Sequence, residues 1–153
     1  MLIELPMRWI VTLNIAGWLV IQLGLAWFFL QLPATWFGGA KARRNFRTRF
    51  VYEKILRIKS WKDRLPDAAA WFNGGFTKGV LAEKNSAYLH RFLAETRRGE
   101  ICHWMAILFV PVFLLWNPWW GFLVNLSYSL LANLPCIMAQ RFNRMRLLSL
   151  LSR

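Results

Sequence analysis

Glu100 and His103 stand three residues apart in the segment Arg97-Arg98-Gly99-Glu100-Ile101-Cys102-His103-Trp104, and the chain turns apolar directly afterwards, from Met105 to Trp116. On a helix, residues at i and i+3 are neighbours. A carboxylate beside an imidazole fixes its tautomer and stabilises the imidazolium that forms when the ring takes a proton. That is the equipment of a general base acting on a hydroxyl. Ionisable groups where a helix enters lipid are costly, so they pair or they work. A structural ion pair at the helix entry is the competing reading. Glu95, Arg97 and Arg98 precede the pair by one to two turns. Arg98 reaches Glu95 at i+3, and this set either aims Glu100 or holds a substrate phosphate.

A second constellation follows 30 residues later: Asn133-Leu134-Pro135, then Gln140-Arg141-Phe142-Asn143-Arg144-Met145-Arg146. Arginine forks bind phosphate bidentately, and the amides of Gln140 and Asn143 bond a sugar or a carbonyl. Arginines after an apolar span also anchor it, with no further role. Cys102 adjoins His103 in sequence but points about 100° away on a helix, so a Cys-His nucleophile is disfavoured. Cys102 and Cys136 both read as small buried hydrophobes. Glu-x-x-His is half of a di-iron carboxylate signature. The only other histidine, His90, lacks the matching spacing, so no metal site is expected.

The elements that must position these residues are membrane spans. The 153 residues are 57% hydrophobic, with 10 Trp and 12 Phe, and Lys+Arg outnumber Asp+Glu by 20 to 7. The net charge of +13 would suit nucleic acid, but the apolar runs are too long for a soluble domain, and no nucleic-acid partner is expected. One all-α membrane domain with three spans is predicted, at about 9–30, 101–116 and 119–138. Pro111 should kink the second span, and Asn125, Ser127, Asn133 and Pro135 interrupt the third. Asn117-Pro118 makes the second and third a tight hairpin, which brings Glu100 and His103 to the same end as Gln140–Arg146. A cleavable signal peptide is the alternative reading of the first span, but the apolar stretch is long and no clear small-x-small site follows closely. Lys and Arg crowd residues 41–100 and the tail 139–153, which places both in the cytoplasm and the N-terminus outside. Within that region Phe46, Phe50, Val51, Ile55 and Ile58, and again Tyr88, Leu89, Phe92 and Leu93, recur at helical spacing. They predict basic amphipathic helices at the membrane surface or packed on the protein. Lys59 and Lys62 of this region are expected to hold donor phosphates.

Three blocks, WKDRLPD (Trp61–Asp67), ETRRGEICHW (Glu95–Trp104) and NLPCIMAQRFNRMR (Asn133–Arg146), occur in this order. Over roughly residues 50–150 the chain resembles the glycosyl-4,4′-diaponeurosporenoate acyltransferases, small bacterial membrane enzymes of staphyloxanthin-type carotenoid synthesis. The resemblance implies acyl transfer to a sugar hydroxyl of a glycosylated carotenoid or similar glycolipid in the cytoplasmic membrane. It implies roles for Trp61 and Lys62 in the first block and for Glu95, Arg97, Glu100, His103 and Trp104 in the second. In the third it implies roles for Asn133, Pro135, Gln140, Arg141, Asn143, Arg144 and Arg146. Where the family pattern reads Tyr-Asn-Arg-Pro-Arg, this chain has Phe142-Asn143-Arg144-Met145-Arg146; the polar positions stand, and the proline is missing. The expected mechanism has His103, oriented by Glu100 and supported by Glu95, as base. Arg141, Arg144 or Asn143 would stabilise the oxyanion. The donor is an acyl-CoA or an acyl carrier protein, with no bound cofactor. The competing classes are a non-catalytic membrane scaffold or lipid-binding subunit, and a prenyl-phosphate transferase. For the last, Asp63 and Asp67 offer too little for magnesium.

Overall fold

The computed structural model of the chain describes residues 2–39, 49–65, 83 and 85–151. Helix α1 spans Met7–Gln31. It begins after Pro6 and stops before Pro33, whose ring disfavours helical geometry at Leu32. Helix α2 spans Ser86–Leu108, and the side chain of Asn85 caps it by accepting from the Tyr88 amide at 2.7 Å. At Pro111 the chain tightens into a 3-10 segment, Val110–Leu115, so the expected kink is a change of helix type. Helix α3 spans Trp119–Leu151, 33 residues and about 50 Å, with Pro135 inside it. Neither the polar residues nor the proline interrupts it, and most of the expected tail, to Leu151, is helix. In an apolar medium, continued helix is how a chain satisfies its remaining backbone groups.

These three helices, α2 taken together with the 3-10 segment that continues it to Leu115, are long and apolar enough to cross a membrane. Along α1 the side chains of Val11, Val20 and Trp27 are exposed, as lipid-facing residues are. Exposed Trp9, Trp119 and Trp120 at one end, and Trp36 and Trp104 at the other, fit the two interfacial belts where amphipathic rings collect.

Helices consecutive in the chain are antiparallel. The amides of Leu2 and Ile3 donate to the carbonyl of Leu115 (3.0 and 2.9 Å), so the start of the chain meets the α2–α3 turn. At the other end Phe29 and Phe37 pack on Ala94 of α2, and the predicted meeting of Glu100 with Arg141 and Arg144 is realised there. The second amphipathic stretch, with Tyr88, Leu89, Phe92 and Leu93, is helical from Ser86 and feeds straight into the second span, as its position predicts. Its Leu89, Phe92 and Leu93 pack on Leu147 of α3. Of the first amphipathic stretch, Arg43, Phe46 and Arg47 lie outside the described residues, as do Pro66 and Asp67 of the first block. The rest forms a π-helical turn, Val51–Ile55, and a 3-10 turn, Ile58–Ser60, with Tyr52 and Ile58 buried against Phe142.

Within the membrane, α3 holds its neighbours through a stripe of five residues at intervals of four, which starts in the preceding turn. Asn117, Gly121, Asn125, Ser129 and Asn133 are all buried. Asn117 and Asn14 of α1 bond reciprocally, Nδ2 to Oδ1, at 2.8 and 3.0 Å. Trp116 Nε1 also donates to Asn14, at 2.9 Å. Asn125 accepts from Trp18 Nε1 at 2.8 Å. Side-chain bonds and small residues take over helix association where lipid removes the hydrophobic drive. Gly121 is required for contact: a Cβ there would lie 2.8 Å from Asn117 Oδ1, which Asn14 pins. Gly121→Ala is therefore expected to destabilise by about 1–3 kcal/mol, read as a lowered unfolding temperature in detergent. An unchanged midpoint would show that the Asn14–Asn117 pair yields freely.

Candidate active site

His103 projects from α2 and Asn133 from α3, and the ring Nδ1 lies 2.9 Å from Asn133 Oδ1. The rest of the amide fixes the proton. Asn133 Nδ2 donates to the Ser129 carbonyl at 2.9 Å, and a carbonyl only accepts, so the amide oxygen must face the imidazole. The neutral ring then donates from Nδ1 and carries its lone pair on Nε2, the tautomer a base requires. Both residues line a cavity of about 860 Å³ between the three helices. Along α1 the cavity runs from Asn14 to Leu30, about 24 Å of helix. Most of this length is walled by apolar side chains such as Leu19, Leu23, Phe29, Val124 and Leu131. The end nearest the α2–α3 polar cluster carries His103, Asn133, Glu95, Arg98, Gln140 and Asn143, with Lys62 and Asp63 contributed by the connecting segment.

The carboxylate of Glu100 is engaged elsewhere. Its Oε1 accepts from Arg141 Nε and its Oε2 from Arg144 Nη2, both at 2.5 Å. Thus α2 and α3 are clamped one turn from His103, and Asn133, not Glu100, sits at Nδ1 of the ring. A two-bond carboxylate clamp is geometrically demanding, and two arginines three residues apart on α3 meet that demand. Arg141 also lies over the Trp104 ring, 5.9 Å from its centroid. None of these four side chains is among the residues lining the cavity.

Residues 33–153 match the family model described as glycosyl-4,4′-diaponeurosporenoate acyltransferase. The chain belongs to this acyltransferase family. Relatives bearing that name include one from Staphylococcus haemolyticus, 33% identical over 97 residues, which cover 63% of this chain and 56% of the relative. Two from Staphylococcus aureus, strains bovine RF122 and USA300, are 29% and 28% identical; each match covers 88% of this chain and 83% of the relative. No solved structure matches the chain.

The second and third blocks of this acyltransferase meet at one end of the bundle, but they divide between the cavity and its support. Glu95 is buried; its Oε1 accepts from Arg98 Nη1 at 2.7 Å, while Arg98 Nη2 donates to the Leu32 carbonyl at 2.7 Å, tying α2 to the end of α1. Arg97 is exposed and donates to the Gly38 carbonyl at 3.2 Å. Lys62 pairs with Asp63 at the cavity wall. Trp61 instead donates from Nε1 to the Leu56 carbonyl at 2.9 Å and packs beside Tyr52 and Phe142, so it supports the connecting segment. Lys59 turns to Glu53 at 3.0 Å, a bond that lowers the Glu53 carboxyl below its ordinary range, with Arg49 assisting. Arg146 is exposed and lies against the Phe142 ring. Sequence reasoning missed the Ser129 carbonyl as the group that sets the His103 tautomer, and missed Asn14 and Trp18 as partners of α3. The repeat of Asn117, Gly121, Asn125, Ser129 and Asn133 at intervals of four was the signal that could have found them.

Proposed function

We propose that this chain transfers a fatty acyl group from a thioester donor to a sugar hydroxyl of a glycosylated carotenoid, glycosyl-4,4′-diaponeurosporenoate or a close glycolipid. The observation that supports this reading is the cavity: a long apolar groove in lipid that ends at a correctly tautomerised histidine among polar side chains. The isoprenoid or acyl chain lies along the groove, and the headgroup stops at His103. Nε2 takes the hydroxyl proton as the oxygen attacks the thioester carbonyl. The tetrahedral oxyanion is met by the Asn143 amide, a donor of the kind typically worth ~3 kcal/mol. The C–S bond then breaks, and the imidazolium returns its proton to the leaving thiolate. An ester and a free thiol are the products. Holding both lipids at one membrane depth supplies much of the rate by orientation alone.

The donor is an acyl-CoA or acyl carrier protein, approaching the cationic end where Arg64, Arg91, Arg97 and Arg146 are exposed. The excess of Lys and Arg at that end makes it cytoplasmic, and the exposed apolar Phe50, Val51 and Ile55 beside Arg49 and Lys54 rest on the headgroups there. The test is mass spectrometry of lipids from cells that make the glycosyl carotenoid, with and without this chain. A fatty-acyl mass gain that depends on the chain is expected. Unchanged lipids in cells that make both the chain and the acceptor would sink the reading.

A further inference from the structure

The cavity's polar end contains more hydrogen-bonding capacity than the chain itself uses. Among the described residues, five buried side-chain atoms lack a hydrogen-bond partner: Glu95 Oε2, Arg98 Nε, Ser129 Oγ, Gln140 Oε1 and Arg144 Nη1. Three of these, on Glu95, Arg98 and Gln140, belong to residues that line the cavity, at the end that holds His103. Leaving a buried polar group unpaired is costly, and charged groups cost most. Glu95 is only 2% exposed and spends one oxygen on Arg98. Two orphaned acceptors and one orphaned donor gathered in one place suit a ligand with several hydroxyls, because each hydroxyl donates and accepts. A phosphate, which offers acceptors only, would leave the Glu95 carboxylate worse off.

Resting on the function proposed above, we infer that Glu95, Arg98 and Gln140 form a cradle for the sugar of the acceptor, reading hydroxyls other than the one acylated. The two oxygens lie beneath the cavity wall, and both sit on terminal torsions that turn easily, so a modest rotation presents them to the headgroup. Arg98 is braced by Leu32 and by the Phe37 ring, 5.2 Å from its guanidinium carbon, so the cradle is built on the end of α1 as well as on α2 and α3. Glu95 in this account binds and positions the acceptor; it exchanges no proton. A site that bonds a substrate hydroxyl rejects the analogue lacking it far more strongly than an apolar pocket rejects a missing methylene. The cradle therefore sets acceptor choice, while the apolar groove tolerates variation in the chain.

The test uses the full-length protein in lipid nanodiscs with a fatty-acyl thioester. It compares a glucosyl carotenoid acceptor with analogues that each lack one hydroxyl other than the primary one. Wild type should lose at least ~10-fold in kcat/KM for one or more deoxy analogues. Gln140→Met, which keeps the volume, and Glu95→Gln should each flatten part of that preference by lowering kcat/KM for the parent glucoside toward that of one deoxy analogue. Equal kcat/KM for all the analogues with wild type would overturn the cradle even if both variants failed to fold, and would leave the acyltransferase reading intact. Failure to acylate any glycoside would instead overturn that reading.

Discussion

Replacing His103 with Gln should lower acyl transfer by about 10²–10⁴-fold, the usual contribution of a positioned general base. The side chain stays polar and of similar reach, so the loss should fall on kcat with little change in the acceptor KM. Asn133→Leu should produce a smaller loss of the same kind. Without the amide oxygen the Nδ1 proton loses the acceptor that favours this tautomer, though the ring can still find the active form. The measurement is steady-state ester formation by both variants in nanodiscs, with unfolding temperatures alongside. A folded His103→Gln protein with wild-type kcat would remove the histidine from the chemistry. An Asn133→Leu protein as fast as wild type would remove only the tautomer argument.

The second large effect is on stability. Glu100→Leu should destabilise by about 3 kcal/mol, the lower part of the range for breaking a buried pair. The lower part applies because Arg144 is mostly covered, with 18% of its side chain exposed, whereas Arg141 is 46% exposed and water solvates it once released. Adding Arg144→Leu to that variant should recover much of the loss, since apolar replacement of a whole buried pair is often neutral or better. Unfolding in detergent, compared between the single and double variants, reads this directly. If Glu100→Leu unfolds with the wild type yet abolishes acyl transfer, the clamp is dispensable and Glu100 acts in the chemistry.

The sequence made the spans visible because length, apolar content and the Asn117-Pro118 turn act locally. Convergence of 100–103 with 140–146 followed from the hairpin alone. The partner of His103 was a different matter. Spacing puts Glu100 beside His103 on a helical wheel, but Arg141 and Arg144 from across the hairpin compete for the same carboxylate and take both its oxygens. Charge outbids a neutral imidazole in such a contest. Asn133, 30 residues away, is then free to face the ring. Likewise the resemblance implied a substrate-binding role for Trp61, yet its indole N–H is satisfied by Leu56, a contact five residues back that no periodicity announces. The family resemblance located the three blocks without distinguishing the residues that face substrate from those that brace them.

The asparagine stripe also checks assembly. Asn117, in the turn that leads into α3, and Asn125 address α1, while Asn133, about 80° further round the same rod, addresses α2. Advance that rod by one residue and its side chains swing about 100°, withdrawing all three amides from their correspondents together. A misaligned hairpin would then present three unanswered amides, at about 1–3 kcal/mol each, where a purely greasy seam would offer many nearly equal alignments. Insertion can therefore be indifferent to register, and the later docking step still admits a single alignment: the one that also points His103 into the groove.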